Sequence, residues 1–448
     1  MILDMTTGKP SKILVSYAMP IILSGIFQQF YNIADSLIAG QYAGVNALAA
    51  VGASYPITML FIAVATGAGM GCTVIISQLF GAKDFKKMKT AAFTAILAML
   101  TMAVVLTLIG QLATNGLMQL MQTPKEVFSD GALYLRIYIA GLVFLFLYNI
   151  ANAIFNGLGD SKTSLYFLIF SSVLNIILDY VFVAHFQMGV AGVAWATFIA
   201  QGLASVLAVF ALLRRIRGVE TEGEIKRFDS TVLKQMSKIA VPSILQQSAV
   251  SVGQLLVQAL VNSYGASVIA GYAAAIKLDS FMKMIIMSMG NAMSSYTAQN
   301  VGARKLERVK SGMSVAVKLL LVYSVIIIGI VQLFGDNMIG WFMSEGTDMA
   351  TRLEVINVGT TYMSVVTFSY LIFSWVMVGN GVLRGAGAMK GYTVATFIDL
   401  GIRVAGAYVL AYIMGYNAIW WAIPIGWSVA AVLVFIFLRK GEWKKRWM

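Results

Sequence analysis

Apolar stretches of about 20 residues or more recur twelve times along the chain, and each can cross a hydrocarbon layer of roughly 30 Å as a helix. Of the 448 residues, 59% are hydrophobic and only 11% are charged, which excludes an ordinary soluble protein. The sequence therefore predicts an all-α integral membrane protein with twelve transmembrane helices. The predicted spans cover residues 13–40, 50–79, 90–113, 128–156, 163–185, 189–213, 236–263, 268–300, 313–335, 350–382, 391–413 and 416–438.

Basic residues are distributed unevenly between the two sides that these spans define. Most of the 32 Lys and Arg lie in the two chain ends and in alternate loops. Because cytoplasmic loops retain Lys and Arg, the bias predicts a multi-pass protein of the cell (plasma) membrane with cytoplasmic N- and C-termini. The net charge of +13 then belongs to short loops beside anionic lipid, so membrane lipids and not nucleic acid are the expected partners. The first apolar stretch lacks a small-residue cleavage site, and we interpret it as a retained span.

The second half of the chain repeats the first. Pro20 aligns with Pro242 when YAMPIILSG is laid on IAVPSILQQ, and two further pairs follow in the same order: SQLFGAKDFKKMK with AQNVGARKLERVK, and FNGLGDSKT with LRGAGAMKG. Each half holds six spans, an even number, so both enter the membrane from the same side. The repeat predicts two pseudo-twofold six-helix bundles, residues 1–213 and 236–448, joined by a cytoplasmic linker at 214–235.

Two carboxylates, Asp35 and Asp179, lie in stretches that otherwise suit lipid. A charge at membrane depth costs roughly 3 kcal/mol on insertion scales, so such a residue points to function. Asn175 precedes Asp179 by four residues and shares its helix face. At about 1.5 Å per residue, Asp35, Asp179 and Thr197 all fall in the outer half of the N-terminal bundle. Such an oxygen cluster suits a proton or a small cation; the alternative is a hydrogen-bonded tie between helices.

Several short motifs resemble the multidrug and toxic compound extrusion (MATE) transporters, and with the repeat the resemblance covers essentially the whole chain. The motifs are Pro20, QQFYNIAD (28–35), SQLFGAK (77–83) and GLGDSK (157–162). The seventh span lacks an acidic residue and carries Gln246 and Gln247 instead, which resembles the DinF-like branch.

The resemblance implies a cation site, a cavity and a flexible helix. The coupling-cation site, for H⁺ or Na⁺, is expected at Asp35, Asn175, Asp179 and Thr197. Polar residues of the substrate cavity are expected at Gln28, Tyr31, Asn149 and Asn152. Pro20 is expected to let the first helix bend.

The function implied is secondary antiport: export of organic, cationic and amphipathic compounds or drugs in exchange for H⁺ or Na⁺. No cofactor besides the coupling ion is expected, and the protein is expected to act as a monomer on small organic substrates. The C-terminal bundle departs from this pattern, because Arg403 and Ala407 stand at the repeat positions of Asn175 and Asp179. A second identical cation site is therefore not expected.

Other functions fit the sequence less well. A lipid-linked oligosaccharide flippase of the same superfamily needs a strongly cationic cavity, for which only Lys277, Lys283 and Arg403 are available. A membrane enzyme needs a set of catalytic side chains, and the chain has one His, one Cys and no G-x-x-x-x-G-K-[ST] loop. We therefore do not expect this chain to be an enzyme. A channel is less consistent with the bundle repeat.

Two opposite-charge pairs at i,i+4 spacing lie within C-terminal spans. Asp279 precedes Lys283 in the eighth span, and Asp399 precedes Arg403 in the eleventh. Pairing neutralises such charges, which favours a structural role, while a substrate or gating role stays open.

Overall fold

The computed structural model describes residues 3–43, 45–343 and 348–445, and all regular structure in these ranges is helical. The α-helices are α1 Pro10–Ile38, α2 Val45–Gly81, α3 Phe85–Leu120, α4 Lys125–Ala140, α5 Leu142–Gly157, α6 Ser161–Asp179, α7 Gly189–Arg217, α8 Ser230–Asn262, α9 Ala266–Gly302, α10 Leu306–Gly340, α11 Met349–Phe368, α12 Tyr370–Gly385, α13 Met389–Met414, α14 Ala422–Lys440 and α15 Glu442–Lys445. Two π-helical segments, Ala39–Ala43 and Tyr180–His185, extend α1 and α6, and the 3₁₀ segment Tyr416–Trp421 precedes α14.

The helices reproduce the predicted order of spans. Within the described residues, nine helical segments are long and apolar enough to cross a membrane, and the bent pairs α4–α5 and α11–α12 supply two more spans. The remaining predicted span coincides with α9, whose 37 residues are long enough but include Lys277, Asp279 and Lys283. The prediction of an all-α protein with twelve spans is confirmed.

Two of the predicted spans are broken rather than continuous. The span predicted at 128–156 consists of α4 and α5, which meet at Gly141 with a bend of 47°, and that at 350–382 consists of α11 and α12, which meet at Ser369 with a bend of 51°. At Gly141 the backbone N–H bonds to the carbonyls of both Ile137 and Tyr138, so the turn tightens there. No proline marks either break, so neither bend was predicted from the sequence.

Backbone geometry repeats between the two halves. Lys83 and Arg304, which align in the repeat, both have φ of 58°, and the aligned Gly159 and Gly387 have φ of 79° and 74°. The bend positions Gly141 and Ser369 are also repeat equivalents. These left-handed residues end helices at the same places in each half, so the sequence repeat is also a structural one.

The described chain forms two compact units. Unit 1 comprises Met19–Ser248 with Leu3 and Asp4, and unit 2 comprises Met5–Ala18 with the described residues from Ala249 onward. The helices α1 and α8 therefore change unit along their length, after Ala18 and Ser248. The domain boundaries given by the sequence, 1–213, 214–235 and 236–448, stay a prediction.

Within unit 1, α6 and α7 are fixed beside each other. The Asp160 side chain caps α6 by accepting from the backbone N–H of Thr163 at 3.3 Å, and its other oxygen pairs with Arg215 near the end of α7 at 2.8 Å. Asp160 is almost fully buried, so this pair ties the start of one helix to the end of the next. In α1 the helix continues through Pro20, whose carbonyl accepts from the Ser24 hydroxyl at 2.8 Å.

Within unit 2, the segment Met5–Thr7 is held by four side chains of α9, α10 and the turn between them, those of Gln299, Asn300, Lys305 and Arg308. The backbone carbonyl of Met5 accepts from Asn300 and Arg308, Lys305 donates to the carbonyl of Thr6 at 2.9 Å, and Arg308 donates to that of Thr7 at 3.1 Å. Met5 is fully buried.

Candidate functional site

The structure brings together, inside unit 1, the residues predicted to bind the cation. Asp35 lies in the last turn of α1, Asp179 is the last residue of α6, and Thr197 lies in the third turn of α7. The carboxyl groups of Asp35 and Asp179 are within hydrogen-bonding reach of each other. Two helices that are far apart in the sequence therefore meet through a pair of carboxyl groups.

Asn175 connects this pair to α7. With its amide nitrogen directed at the carboxylate, Asn175 donates to Oδ2 of Asp179 at 2.7 Å, and its oxygen accepts from the backbone N–H of Thr197 at 3.0 Å. Asn175 and Asp179 are buried, with exposed fractions of 3% and 1%. The i,i+4 spacing predicted a shared helix face, and the structure shows a direct contact across it.

Each carboxyl group keeps one oxygen without a partner. Oδ1 of Asp35 and Oδ1 of Asp179 are buried and accept no hydrogen bond from the described residues. Buried polar atoms are normally satisfied, so these two acceptors are available to a proton or a small cation. The oxygen-only donor set, two carboxyl groups with the Thr197 hydroxyl nearby, fits Na⁺ as well as H⁺.

Tyrosines surround the pair. The Tyr31 hydroxyl, one turn before Asp35, is hydrogen-bonded to the Thr197 side chain, and Tyr134 on α4 is close enough to interact with both carboxylates. Tyr31 was predicted from the sequence as a cavity residue, whereas Tyr134 was not predicted. The sequence signal at Tyr134 is its i,i+4 spacing from Tyr138 in YLRIY (134–138), and the two rings stack with centroids 6.3 Å apart.

An apolar cluster adjoins the carboxyl pair. It includes Val183, one turn beyond Asp179, and Val193, one turn before Thr197, both almost fully buried and packed with Tyr134. These residues lie toward the end of the unit where α6 connects to α7. The carboxyl pair thus has packed aliphatic side chains one helical turn away on both α6 and α7.

A model of the MatE family matches residues 20–181 and again 242–409, well over half of the chain. The chain belongs to the MatE family. The two matched ranges fall in the two halves of the repeat. The predicted DinF-like branch stays a prediction.

Relatives of this MatE protein extend over its whole length. "Probable multidrug resistance protein YpnP" of Bacillus subtilis is 28% identical over 442 residues, which cover 98% of this chain and 97% of that protein. "Multidrug export protein MepA" of Staphylococcus aureus is 22% identical over 431 residues, which cover 96% and 94%.

Solved structures share the fold of this MatE protein. A MOP superfamily transporter from Pyrococcus furiosus superposes with a TM-score of 0.89 at 24% identity, covering 98% of this chain and 97% of that one. A MATE protein in complex with MaL6 gives a TM-score of 0.90 at 24% identity, with 99% of both chains covered.

The hydrogen bonds that the structure shows for predicted cavity residues other than Tyr31 stay within their own helices. Gln28 is exposed and contacts Asn32 in its own helix at 3.5 Å, and Asn149 donates to the Leu145 carbonyl in its own helix at 2.8 Å. Asn152 keeps a buried Oδ1 without a partner on α5. Their role in this MatE protein stays a prediction.

In unit 2 both predicted opposite-charge pairs are formed. Lys283 lies 2.5 Å from Oδ2 of Asp279, and Nε of Arg403 lies 3.2 Å from Oδ1 of Asp399. Asp279 also accepts from two hydroxyls that were not predicted from the sequence, Tyr362 at 2.9 Å and Tyr370 at 2.5 Å.

Ala407 stands at the repeat position of Asp179 and is buried and apolar, so unit 2 lacks the Asn-x-x-x-Asp pattern of unit 1.

No group of three or more His, Cys, Asp or Glu side chains that could hold a metal occurs among the residues the structure covers. Besides its two carboxyl groups, the pair in unit 1 has the Thr197 hydroxyl nearby as an oxygen that could take part in a cation shell.

Proposed function

We propose that this MatE protein is a secondary active antiporter that exports organic, cationic and amphipathic compounds from the cell in exchange for H⁺ or Na⁺. Relatives that match nearly the full length and are named for multidrug export and multidrug resistance support the export of drugs. The chain then works in the plasma membrane with both termini in the cytoplasm, as a monomer that acts on small molecules and performs no covalent chemistry.

The observation that carries the coupling role is the pair Asp35 and Asp179, each with a buried oxygen that lacks a partner. Two adjacent carboxylates repel each other when both are charged, so a bound proton or Na⁺ stabilises their contact. Loss of that ion favours separation of α1 from α6. Ion binding is in this way converted into a force between two helices.

The first helix is the element that this force would move. Pro20 cannot donate a backbone hydrogen bond, so α1 resists bending least near that residue. Bending there would carry Asp35, four turns further on, away from Asp179. In the proposed cycle, ion binding between α1 and α6 and substrate binding within unit 1 alternate through this bend.

The flippase alternative is not favoured. Of the three cations that could make a cavity strongly positive, Lys283 and Arg403 each lie against a carboxylate, and Lys277 lies over the Phe342 ring, 5.7 Å from its centroid. An unneutralised cationic lining, as a polyanionic pyrophosphate headgroup would need, is not formed by these residues.

The test is export of a fluorescent lipophilic cation such as ethidium from proteoliposomes under separately imposed pH and Na⁺ gradients. Asp35→Asn keeps the shape of a protonated aspartate but cannot release a proton or supply a charge. We expect Asp35→Asn and Asp179→Asn each to lower gradient-driven export at least about tenfold. Their thermal stability should stay level or rise, because a buried charge is removed.

Glu126→Gln, an exposed carboxylate at the start of α4, is the matched control and should export like the wild type. The gradient that drives the wild type identifies the ion. Wild-type export by both aspartate variants under either gradient would show that the pair is only a tie between helices.

A further inference from the structure

Unit 2 contains a small cavity among α8, α9, α11, α13 and the 3₁₀ segment before α14. It offers about 70 Å³ to groups the size of water, far less than the roughly 300 Å³ or more of a drug-sized pocket. Its walls include two cations, Lys283 and Arg403, and the rings of Tyr272, Tyr362 and Trp420. Nothing in the proposed coupling site of unit 1 accounts for this cavity.

Hydrogen-bond donors dominate the polar wall of the cavity. Nε1 of Trp420, a side chain only 1% exposed, has no hydrogen-bond partner, and an indole N–H can only donate. Arg403 carries five N–H donors, and its one ion pair in the described chain is the contact of Nε with Asp399. Lys283 likewise has one partner for three donors. The cavity therefore offers several unused donors to an acceptor.

The partner of Lys283 is itself shared with other groups. Asp279 is fully buried and accepts from Tyr362 and Tyr370 as well as from Lys283. Because three donors share the Asp279 carboxylate, the positive charge of Lys283 is neutralised less completely than in an isolated ion pair. The Lys283 ammonium keeps capacity for a second anionic oxygen.

The second pair is fixed in place by close packing. A Cβ at Gly426 on α14 would lie 2.6 Å from Oδ1 of Asp399 and 2.7 Å from Cγ of Arg403, so only glycine leaves room for this pair. On another wall, the Trp420 ring lies parallel to Tyr272, with centroids 5.2 Å apart and planes at 11°, and edge-on to Tyr362. The donors are thus held by packed elements before any ligand arrives, which lowers the entropy cost of binding.

We propose that this cavity of unit 2 binds one carboxylate group, held by Arg403, Lys283 and the indole N–H of Trp420. The size admits a carboxylate but not a whole organic molecule. The carboxylate belongs either to a small free anion or to the head of an amphipathic acid whose remainder lies outside the cavity. Both share the same chemistry, and the probes below separate them.

The experiment measures binding of acetate and of phenylacetate to the full chain in nanodiscs by titration calorimetry, in a HEPES buffer free of other carboxylate ions and at constant ionic strength. Wild-type protein should bind both probes. Equal affinities identify a small free anion, and tighter binding of phenylacetate identifies the head of an amphipathic acid. If neither acetate nor phenylacetate binds, the proposal is wrong.

Three variants separate a ligand site from a purely structural ion pair. Asp399→Asn removes the anion that competes for Arg403, so we expect affinity to rise about tenfold. The double variant Asp399→Asn with Arg403→Gln removes the cation without leaving an unpaired charge and should weaken binding at least about tenfold below the wild type. Trp420→Phe removes one donor, and a fall of about fivefold is expected.

Lys277→Gln is the matched control: it removes a cation from the same helix as Lys283, but Lys277 does not line the cavity. It should bind like the wild type. Thermal unfolding gives a second readout, since acetate should raise the midpoint of Asp399→Asn more than that of the wild type. Unchanged affinity in both Asp399→Asn and the double variant would overturn the proposal, because a structural pair alone predicts that result.

Discussion

The buried aspartates of this protein differ in how many donors each one meets. Asp279 accepts from Tyr362, Tyr370 and Lys283, so its charge is compensated by three groups at once. Asp35 and Asp179 instead face each other and each keep an unpartnered oxygen. The same side chain is therefore fully hydrogen-bonded in one unit, as a structural role requires, and partly unsatisfied in the other, as the proposed ion site requires.

The structural role of Asp279 can be tested through Tyr370. Tyr370→Phe removes a hydrogen bond to a buried charge, which typically contributes about 2 kcal/mol, so the thermal unfolding midpoint should fall clearly. Tyr408→Phe removes an exposed hydroxyl that donates to the Leu256 carbonyl at 3.0 Å and should have little effect. Equal midpoints for the two variants would show that the Tyr370 hydroxyl does not stabilise Asp279.

Single residues were predictable where their chemistry conflicts with lipid. Asp35 and Asp179 stood out because a carboxylate is costly in an apolar span, and Asn175 followed from its spacing. Tyr134 and Tyr370 did not stand out, because an aromatic ring suits a lipid face and a packed interior equally well. Their hydroxyls acquire a role only when the fold brings an aspartate to them.

Among the elements, α9 and α12 approach each other through glycines. A Cβ at Gly385 would overlap the backbone carbonyl of Ser294 and lie 2.9 Å from Cβ of Thr297, and a Cβ at Gly381 would lie 2.5 Å from the carbonyl of Gly290. Small residues allow such backbone contact, which replaces the missing hydrophobic driving force between helices in lipid.

Gly385→Ala should therefore destabilise the protein by about 2 kcal/mol, because the atom it meets is backbone and cannot rotate away. Gly329→Ala on α10 is the matched control, with no atom within 4 Å of the new methyl group. There the better helix propensity of alanine should leave stability level or raise it by about 0.5–1 kcal/mol. Unfolding midpoints in one detergent decide the comparison, and a similar loss in both variants would contradict the role of close contact.

The helices themselves were predictable, but their interruptions were not. Apolar length located each span to within seven residues of the observed helix ends, because the hydrocarbon thickness sets a minimum for every crossing. The breaks at Gly141 and Ser369 carry no proline, and isolated glycine or serine is common inside membrane helices. A bend there depends on how the neighbouring helices pack, which a single sequence does not reveal.

For the whole molecule, the loop charges make a prediction about sidedness. In a background in which the buried Cys72 is replaced by Ala, single cysteines at Glu222 and Glu126 should react with a membrane-impermeant thiol reagent from opposite faces. Both positions are exposed, so both are accessible to the reagent. In intact cells, where the reagent reaches the outer face only, the Glu126→Cys variant should be labelled and the Glu222→Cys variant should not. Labelling of both variants in intact cells would contradict the predicted topology.

The docking of Met5 to Thr7 within unit 2 has a consequence for biosynthesis. The backbone N–H of Met5 bonds to Gln299 at 2.9 Å, a partner 294 positions later in the chain. At about 5–20 residues per second, the ribosome needs roughly 15–60 s to synthesise that partner after Met5 itself. During this interval Met5–Thr7 has no docking site, so this segment reaches its final place only after residues 299–308 have been synthesised.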